Sequence, residues 1–168
     1  MGRRRNRKPK VVNFDDLRGL RTRSYVREST KAQVGPDHNG PDLQRAGIRA
    51  FCEQHDLTQP EYEYFEAESA RTMERRLLLQ RAHAEASDYD VLLFFHSSRS
   101  FRNRGDAVIW KRRLRGAGLV LVFTEQRLIS GDPQTKFLEG VYELIDEQRS
   151  DEHAMLIGSG LRQNFERC

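Results

Sequence analysis

Two uninterrupted apolar runs, Val91–Phe95 and Leu119–Phe123, narrow the folds open to this chain more than any other feature. A strand with one wet face alternates apolar and polar residues, so a run without alternation belongs to a strand covered on both sides. Leu20–Arg27 reads as an earlier strand and Tyr62, Tyr64 and Phe65 as a short one. Between these two, Leu43, Ala46, Ile48, Ala50 and Phe51 recur at roughly helical spacing, with Asp42 as the expected N-cap of a helix reaching about His55. Residues 74–86 set Leu77, Leu78, Ala82 and Ala86 on one side of a charged helix, a polar loop is expected over 96–104, and Asp106–Arg115 reads as a third helix. Strands alternating with helices predict an α/β domain, with a mainly parallel sheet of four to five strands between helical layers and functional loops at the strands' carboxyl ends.

Length and composition fit one such domain. The 168 residues are 37% hydrophobic and 32% charged, polar overall but with enough Leu, Val, Ile and Phe for a core, which excludes wholesale disorder. No apolar run approaches the roughly 20 residues of a membrane span, so no membrane partner is expected. The basic start, MGRRRNRKPK, is followed by Val11 and Val12 and then by Asn13, Asp15 and Asp16; it lacks the apolar segment of a secretory signal. Net charge is +4, yet six basic and no acidic residues fall in the first ten positions, so the positive character belongs to an expected tail over 1–19. An arm for polyanions and a merely solubilising end are equally compatible with it. Cys52 and Cys168 form no C-x-x-C and no His pair has ligand spacing, so neither a disulfide framework nor a zinc site is signalled. A reducing, cytoplasmic compartment and no cofactor are expected.

The α/β core is expected over 20–132, followed by a helical segment over 133–168. There Phe137, Leu138, Val141, Leu144 and Ile145 mark an apolar face, which lapses at Asp146–His153 and resumes at Met155, Leu156 and Ile157. One continuous helix would be about 50 Å long, more than a small sheet can cover, and its far end would need a partner. Two shorter helices broken near Gly158 and Gly160 fit the same residues.

Familiar nucleotide motifs are absent: there is no G-x-x-x-x-G-K-[ST], and Gly158-Ser-Gly160 follows no strand. His83-Ala-Glu85 matches half of a zinc-deaminase signature, without the P-C-x-x-C half. What remains is a hydroxyl among arginines. Tyr25-Val-Arg27-Glu-Ser29-Thr30 sets Ser29 just past the first strand; Glu66-Ala-Glu-Ser69 leads to Arg75 after the second; Ser98-Arg99-Ser-Phe-Arg102-Asn103 follows the third. A lone Ser-Thr pair is ordinarily a turn. In a parallel sheet, however, three successive strand ends deliver Arg27, Arg75, Arg99 and Arg102 to one edge beside Ser29. Guanidinium forks bind phosphodiester oxygens and neutralise charge growing in a transition state, and a dense positive field favours the serine alkoxide without a histidine. Attack on DNA phosphorus would conserve the phosphodiester as a phosphoserine ester, so rejoining would need no ATP.

With these residues in order, the sequence resembles the serine recombinases (resolvase/invertase family), and more specifically the N-terminal catalytic domain of large serine integrases. The resemblance spans about 20–166. It rests on Tyr25-x-Arg27-x-Ser29-Thr30, Gln33, Asp42-Leu-Gln44-Arg45, the Ser69–Arg75 loop, Ser98-Arg99 with Arg102-Asn103, and a long helix from Glu139-Gly140 to Gly160-Leu-Arg162. It implies a resolvase-like three-layer domain with a C-terminal interface helix. Ser29 would be the nucleophile, with Arg27, Arg75, Arg99 and Arg102 on the scissile phosphate and Tyr25, Gln33, Gln44, Glu66, Ser69, Ser98 and Asn103 in support. The implied partners are double-stranded DNA and further copies of the chain, as homodimer and synaptic tetramer, in a protein of bacterial, phage or mobile-element origin. Departures are Glu66 where the family commonly has Asp, Ser98 where small resolvases have Asp, Ala70 where Gly is usual, and a displaced aromatic at Phe101. No site-reading module follows the long helix, so DNA-binding domains are expected C-terminal to this chain in a full-length integrase. A non-catalytic recombinase-like module for DNA binding or oligomerisation is the alternative.

Overall fold

A computed structural model describes residues 11, 13–28, 40–66, 76–101, 104–130, 137–138, 140–141 and 144–145. Five strands form one sheet in the order β2-β1-β3-β4-β5: β1 Thr22–Arg27, β2 Glu63–Glu66, β3 Val91–Phe94, β4 Val120–Phe123 and β5 Leu128–Ser130. β1 pairs in parallel with both β2 and β3, β3 in parallel with β4, and β5 returns antiparallel against β4. Helices among the described residues connect or flank them: α1 Pro41–Gln54, α2 Leu77–Ala84, the one-turn α3 Ser97–Ser100 and α4 Arg104–Gly116.

All four residues of β3 are buried because both sides of the sheet are covered, as the unbroken apolar run predicts. Leu92 and Phe94 join Tyr25, Tyr64, Leu121 and Phe123 on one face, packed by Leu79 and Ala82 of α2 and by Ala107, Trp110 and Leu114 of α4. Val91 and Leu93 point the other way, with Val26, Val122 and Ile129, onto Ile48, Phe51 and Cys52 of α1. Full burial of side chains of this size contributes roughly 1.5–3 kcal/mol each relative to exposure. Burial pushes the Cys52 thiol up to about 11, that of an inert core group.

Several local expectations are corrected. Gly40, not Asp42, is the N-cap of α1, since Pro41 has its φ pre-set for the first helical position and its missing N–H costs nothing there; Asp42 instead pairs with Arg45 at 3.0 Å. The buried face of α2 is Leu79, Ala82 and, just beyond it, Ala86, while Leu77 is 67% exposed. That shift follows from Arg76, which is itself buried and sets the rotation of the helix. The stretch 96–104, expected as loop, contains α3 and the first residue of α4. Three-residue β5 is too short to show a period, and it follows β4 through a turn in which Arg127 takes a positive φ of 51°. Within the expected tail, Asp15–Leu17 make a 3-10 turn, Leu17 is fully buried against the α1 face, and Phe14 meets Phe51 edge-on at 5.3 Å. The packed chain therefore starts ahead of residue 20. Residues 137–138, 140–141 and 144–145 are helical, and the remainder of the expected long helix lies outside the described residues. Among the described residues no helix is long and apolar enough to cross a membrane.

Gly47 seats α1 on the sheet. A Cβ there would sit 2.3 Å from Cε2 and 2.7 Å from Cδ2 of Phe95, whose ring is buried just past β3. Gly47→Ala is expected to gain helix propensity yet lose about 1–2 kcal/mol net through overpacking. Urea denaturation checks this, and a stabilised variant would show that the ring has room to turn.

Candidate functional site

Strand order reverses at β1. The chain moves from β1 to β2 on one side and afterwards to β3 on the other, so the carboxyl ends of β1 and β3 flank the crevice where open parallel sheets bind ligands. Arg27 closes β1, and its Nε donates to the Arg99 carbonyl in α3 at 2.9 Å, across that crevice. The strand end is held from α1 by Gln44, which is 2% exposed; its Nε2 donates to the Arg27 carbonyl at 2.8 Å, and its Oε1 accepts from the Arg27 amide at 3.4 Å. Gln44 thus continues the strand's hydrogen bonding with a side chain and fixes the backbone that leads into Ser29.

The turn bearing Arg99 follows β3 directly. Its N-cap is His96, whose Nδ1 accepts from the Ser98 amide at 3.1 Å and lies 2.8 Å from Ser98 Oγ. The Ser97 amide donates to Gln126 Oε1 at 3.0 Å, and Ser100 Oγ donates to the His96 carbonyl at 2.8 Å. Ser98 therefore shapes the turn through His96.

Beneath this edge lies a buried polar cluster that ties β1, β2, α3 and α4 to the start of α2. The guanidinium of Arg76, 1% exposed, donates from Nε to Glu66 Oε2 at 2.9 Å, from Nη1 to Asp106 Oδ2 at 2.5 Å, and from Nη2 to Tyr25 Oη at 2.7 Å and the Ser100 carbonyl at 2.5 Å. Tyr25 Oη also donates to Glu66 Oε2. Burial weakens a guanidinium's hold on its proton, but Tyr25, Glu66 and Asp106 outweigh that and raise Arg76 above its ordinary value. Burial above all drives the Tyr25 phenol far up, with Arg76 opposing, so it stays a neutral donor. The added methylene of Glu66 is put to use: from β2 its carboxylate reaches both Arg76 and Tyr25. At its other end α2 is anchored by Glu85, which accepts from Arg23 Nη1 at 2.6 Å and Tyr64 Oη at 2.8 Å. α2 is thus fixed at both ends.

Of the residues singled out in the sequence, Tyr25, Arg27, Gln44, Glu66, Ser98 and Arg99 are described, and all sit at the carboxyl edge of β1, β2 and β3 or directly beneath it. Ser29, Gln33, Ser69, Arg75, Arg102 and Asn103 lie outside the described residues. Sequence reasoning missed Arg76, Asp106 and His96. The adjacent pair Arg75-Arg76 at a helix start was the available signal for the first, since one of two neighbouring residues must face the protein.

The family model described as Resolvase, N terminal domain, matches residues 23–167, most of the chain. Among solved structures, a resolvase family site-specific recombinase from Streptococcus pneumoniae is 19% identical, with 86% of this chain and 97% of that one covered at a TM-score of 0.56. The N-terminal catalytic domain of TP901-1 integrase is 15% identical, with 79% and 98% covered at a TM-score of 0.60. At such identities these two speak for the fold. No curated protein matches the sequence. With a family match over 23–167 and a sheet covered on both faces, in which Arg27 at the end of β1 meets the turn that bears Arg99 at the strand-order reversal, this chain belongs to the serine recombinase (resolvase) family and carries its N-terminal catalytic domain.

Proposed function

We propose that this domain cuts and rejoins DNA through Ser29. Ser29 Oγ attacks a phosphodiester, a 5′-phosphoserine ester forms, and the 3′ hydroxyl leaves; after half-sites are exchanged, that hydroxyl attacks the ester and frees the serine. Arg27, Arg75, Arg99 and Arg102 hold the scissile phosphate and offset the charge that builds on its oxygens. No ATP is consumed, because the ester keeps the bond energy of the diester. The observation that carries this reading is the 2.9 Å link from Arg27 to the Arg99 backbone across the strand-order reversal, two residues before Ser29. Two motifs 72 positions apart are thereby joined at the edge where such sheets bind ligands.

Exchange of both strands requires more than one copy, so the acting form is a dimer that pairs into a synaptic tetramer. The exposed apolar residues Phe137, Leu138, Leu144 and Ile145 favour a helix that meets another chain. Site choice would come from DNA-binding domains C-terminal to this one, because contacts to base edges discriminate sequence whereas phosphate contacts only position. The similarity to an integrase domain favours a large serine integrase of a phage or mobile element, acting in the bacterial cytoplasm.

The test is to trap the ester. The chain, alone and fused to a targeting domain, is incubated with a nicked suicide duplex that loses its 3′ end after cleavage. A detergent-resistant adduct at the 5′ phosphate is expected. DNA binding without any adduct, in both formats, would favour the non-catalytic module.

A further inference from the structure

We infer that His96 is a proton-sensitive cap that positions the arginine-bearing turn of the site, a role that as a control on cleavage rests on the function proposed above. A backbone amide can only donate, so Nδ1 of His96, which accepts from the Ser98 amide at 3.1 Å, must be unprotonated. Ser98 Oγ, 2.8 Å from the same nitrogen, donates to it as well, and the ring proton resides on Nε2. The imidazole in this state does what Asn or Ser does at other helix starts. When the ring takes up a second proton, Nδ1–H faces Ser98 N–H and the cap becomes a clash of donors.

The loss reaches the site because Ser98 directly precedes Arg99 in a single turn, whose other ties run from Ser97 to Gln126 and through Ser100 to the His96 carbonyl and to Arg76. Arg99 lies at its centre, and the Arg99 carbonyl is the acceptor for Arg27 Nε. Release of the Ser98 amide therefore loosens both guanidinium-bearing positions together. Among the described residues, the charged groups on the elements around the turn are Arg27 and Glu28 at the end of β1, Arg76 and Asp106 behind Ser100, Arg99 itself, Arg104 at the start of α4, Arg127 in the turn after β4, and Glu125 in that turn, whose amide donates to the Phe95 carbonyl at 3.0 Å. From α1 come Gly47 and the neutral Gln44. The two ring states differ at Nδ1, which accepts from Ser98 in one and donates in the other. Histidine is the side chain that ordinarily changes charge between about pH 5 and 8, so the cap is made on the neutral side of that window and lost on the acid side.

Two measurements on the full chain test this. Nitrogen NMR of the His96 ring between about pH 8 and 5 should show an unprotonated Nδ1 at the upper end, with the Ser98 amide resonance moving in step with the ring's titration. A protonated Nδ1 in the neutral ring, or a Ser98 amide indifferent to it, would overturn the cap. Adduct formation on the suicide duplex is then compared with His96→Asn, which caps without titrating. The ratio of wild-type to H96N rate should fall by about 2-fold to 30-fold from the upper to the lower end of that window, the cost of a lost cap. A ratio unchanged with pH would overturn the control. Should wild type give no adduct at any pH, the function proposed above fails, and the ring measurement alone decides the cap.

Discussion

Replacing Ser29 by alanine is expected to reduce covalent attachment to the suicide duplex to background, a loss of at least about 10³-fold, while DNA binding at fixed salt stays within roughly 2-fold. The asymmetry follows from the division of labour proposed here. Binding comes from guanidinium–phosphate contacts, which alanine at position 29 leaves in place, whereas the bond to phosphorus needs the one oxygen that has been removed. Substituting Arg27 is a weaker lesion of a different kind. On the proposed mechanism Arg27→Ala removes a donor to the developing charge and is expected to slow attachment by about 10²- to 10³-fold, leaving residual adduct on the same serine. It also deletes the contact to the Arg99 carbonyl. Measured side by side, S29A at zero and R27A slow but finite would distinguish nucleophile from phosphate clamp. Persistent adduct in S29A would move the nucleophile elsewhere and end the mechanism.

The largest effect on stability is expected at Arg76. Arg76→Met keeps most of the volume but leaves Glu66 and Asp106, 6% and 7% exposed, without the cation that both face. Breaking a buried ion cluster by deleting one partner costs about 3–5 kcal/mol, because buried carboxylate charge loses the cation beside it. That is a large share of the roughly 5–15 kcal/mol that holds a typical domain together. The cost should be recovered in good part when the carboxylates are neutralised as well, in the triple variant R76M, E66Q and D106N. Urea unfolding of wild type, single and triple variant reads this directly. Equal destabilisation of single and triple variants would mean that Arg76 acts by shape alone. Since Arg76 Nη2 also binds the Ser100 carbonyl behind Arg99, R76M should disturb the site even where enough folded protein remains.

These two predictions differ in how far they were legible beforehand. Ser29 and Arg27 stand in a short motif at a strand end, and the chemistry proposed for them rests on residue type and order. Arg76 was passed over for its neighbour Arg75, because helical periodicity cannot say which of two adjacent arginines faces inward. Only its partners decide: Tyr25 and Asp106 lie 51 and 30 positions away. His96 was read only as a histidine without ligand spacing, and its meaning as a cap depends on a turn that nothing in the polar stretch 96–104 announced. The place of Asp42 just ahead of the helical pattern points to it as the cap, but Pro41 fixes the backbone one residue earlier.

The amino-acid order alone thus determined the class of fold, since unbroken apolar runs between amphipathic helices have few ways to be covered other than a sandwiched parallel sheet. It also determined the order of the arginine motifs along the chain. Tertiary structure decided the reversal of strand order at β1, the antiparallel return of β5, and the meeting of Arg27 with Arg99 and of Arg76 with its two carboxylates. The physical reason is range. Hydrophobic period and backbone preference act over a few residues and leave a trace in sequence, whereas a buried charge is stabilised by whatever the folded chain brings within 3 Å, and that partner has no fixed spacing.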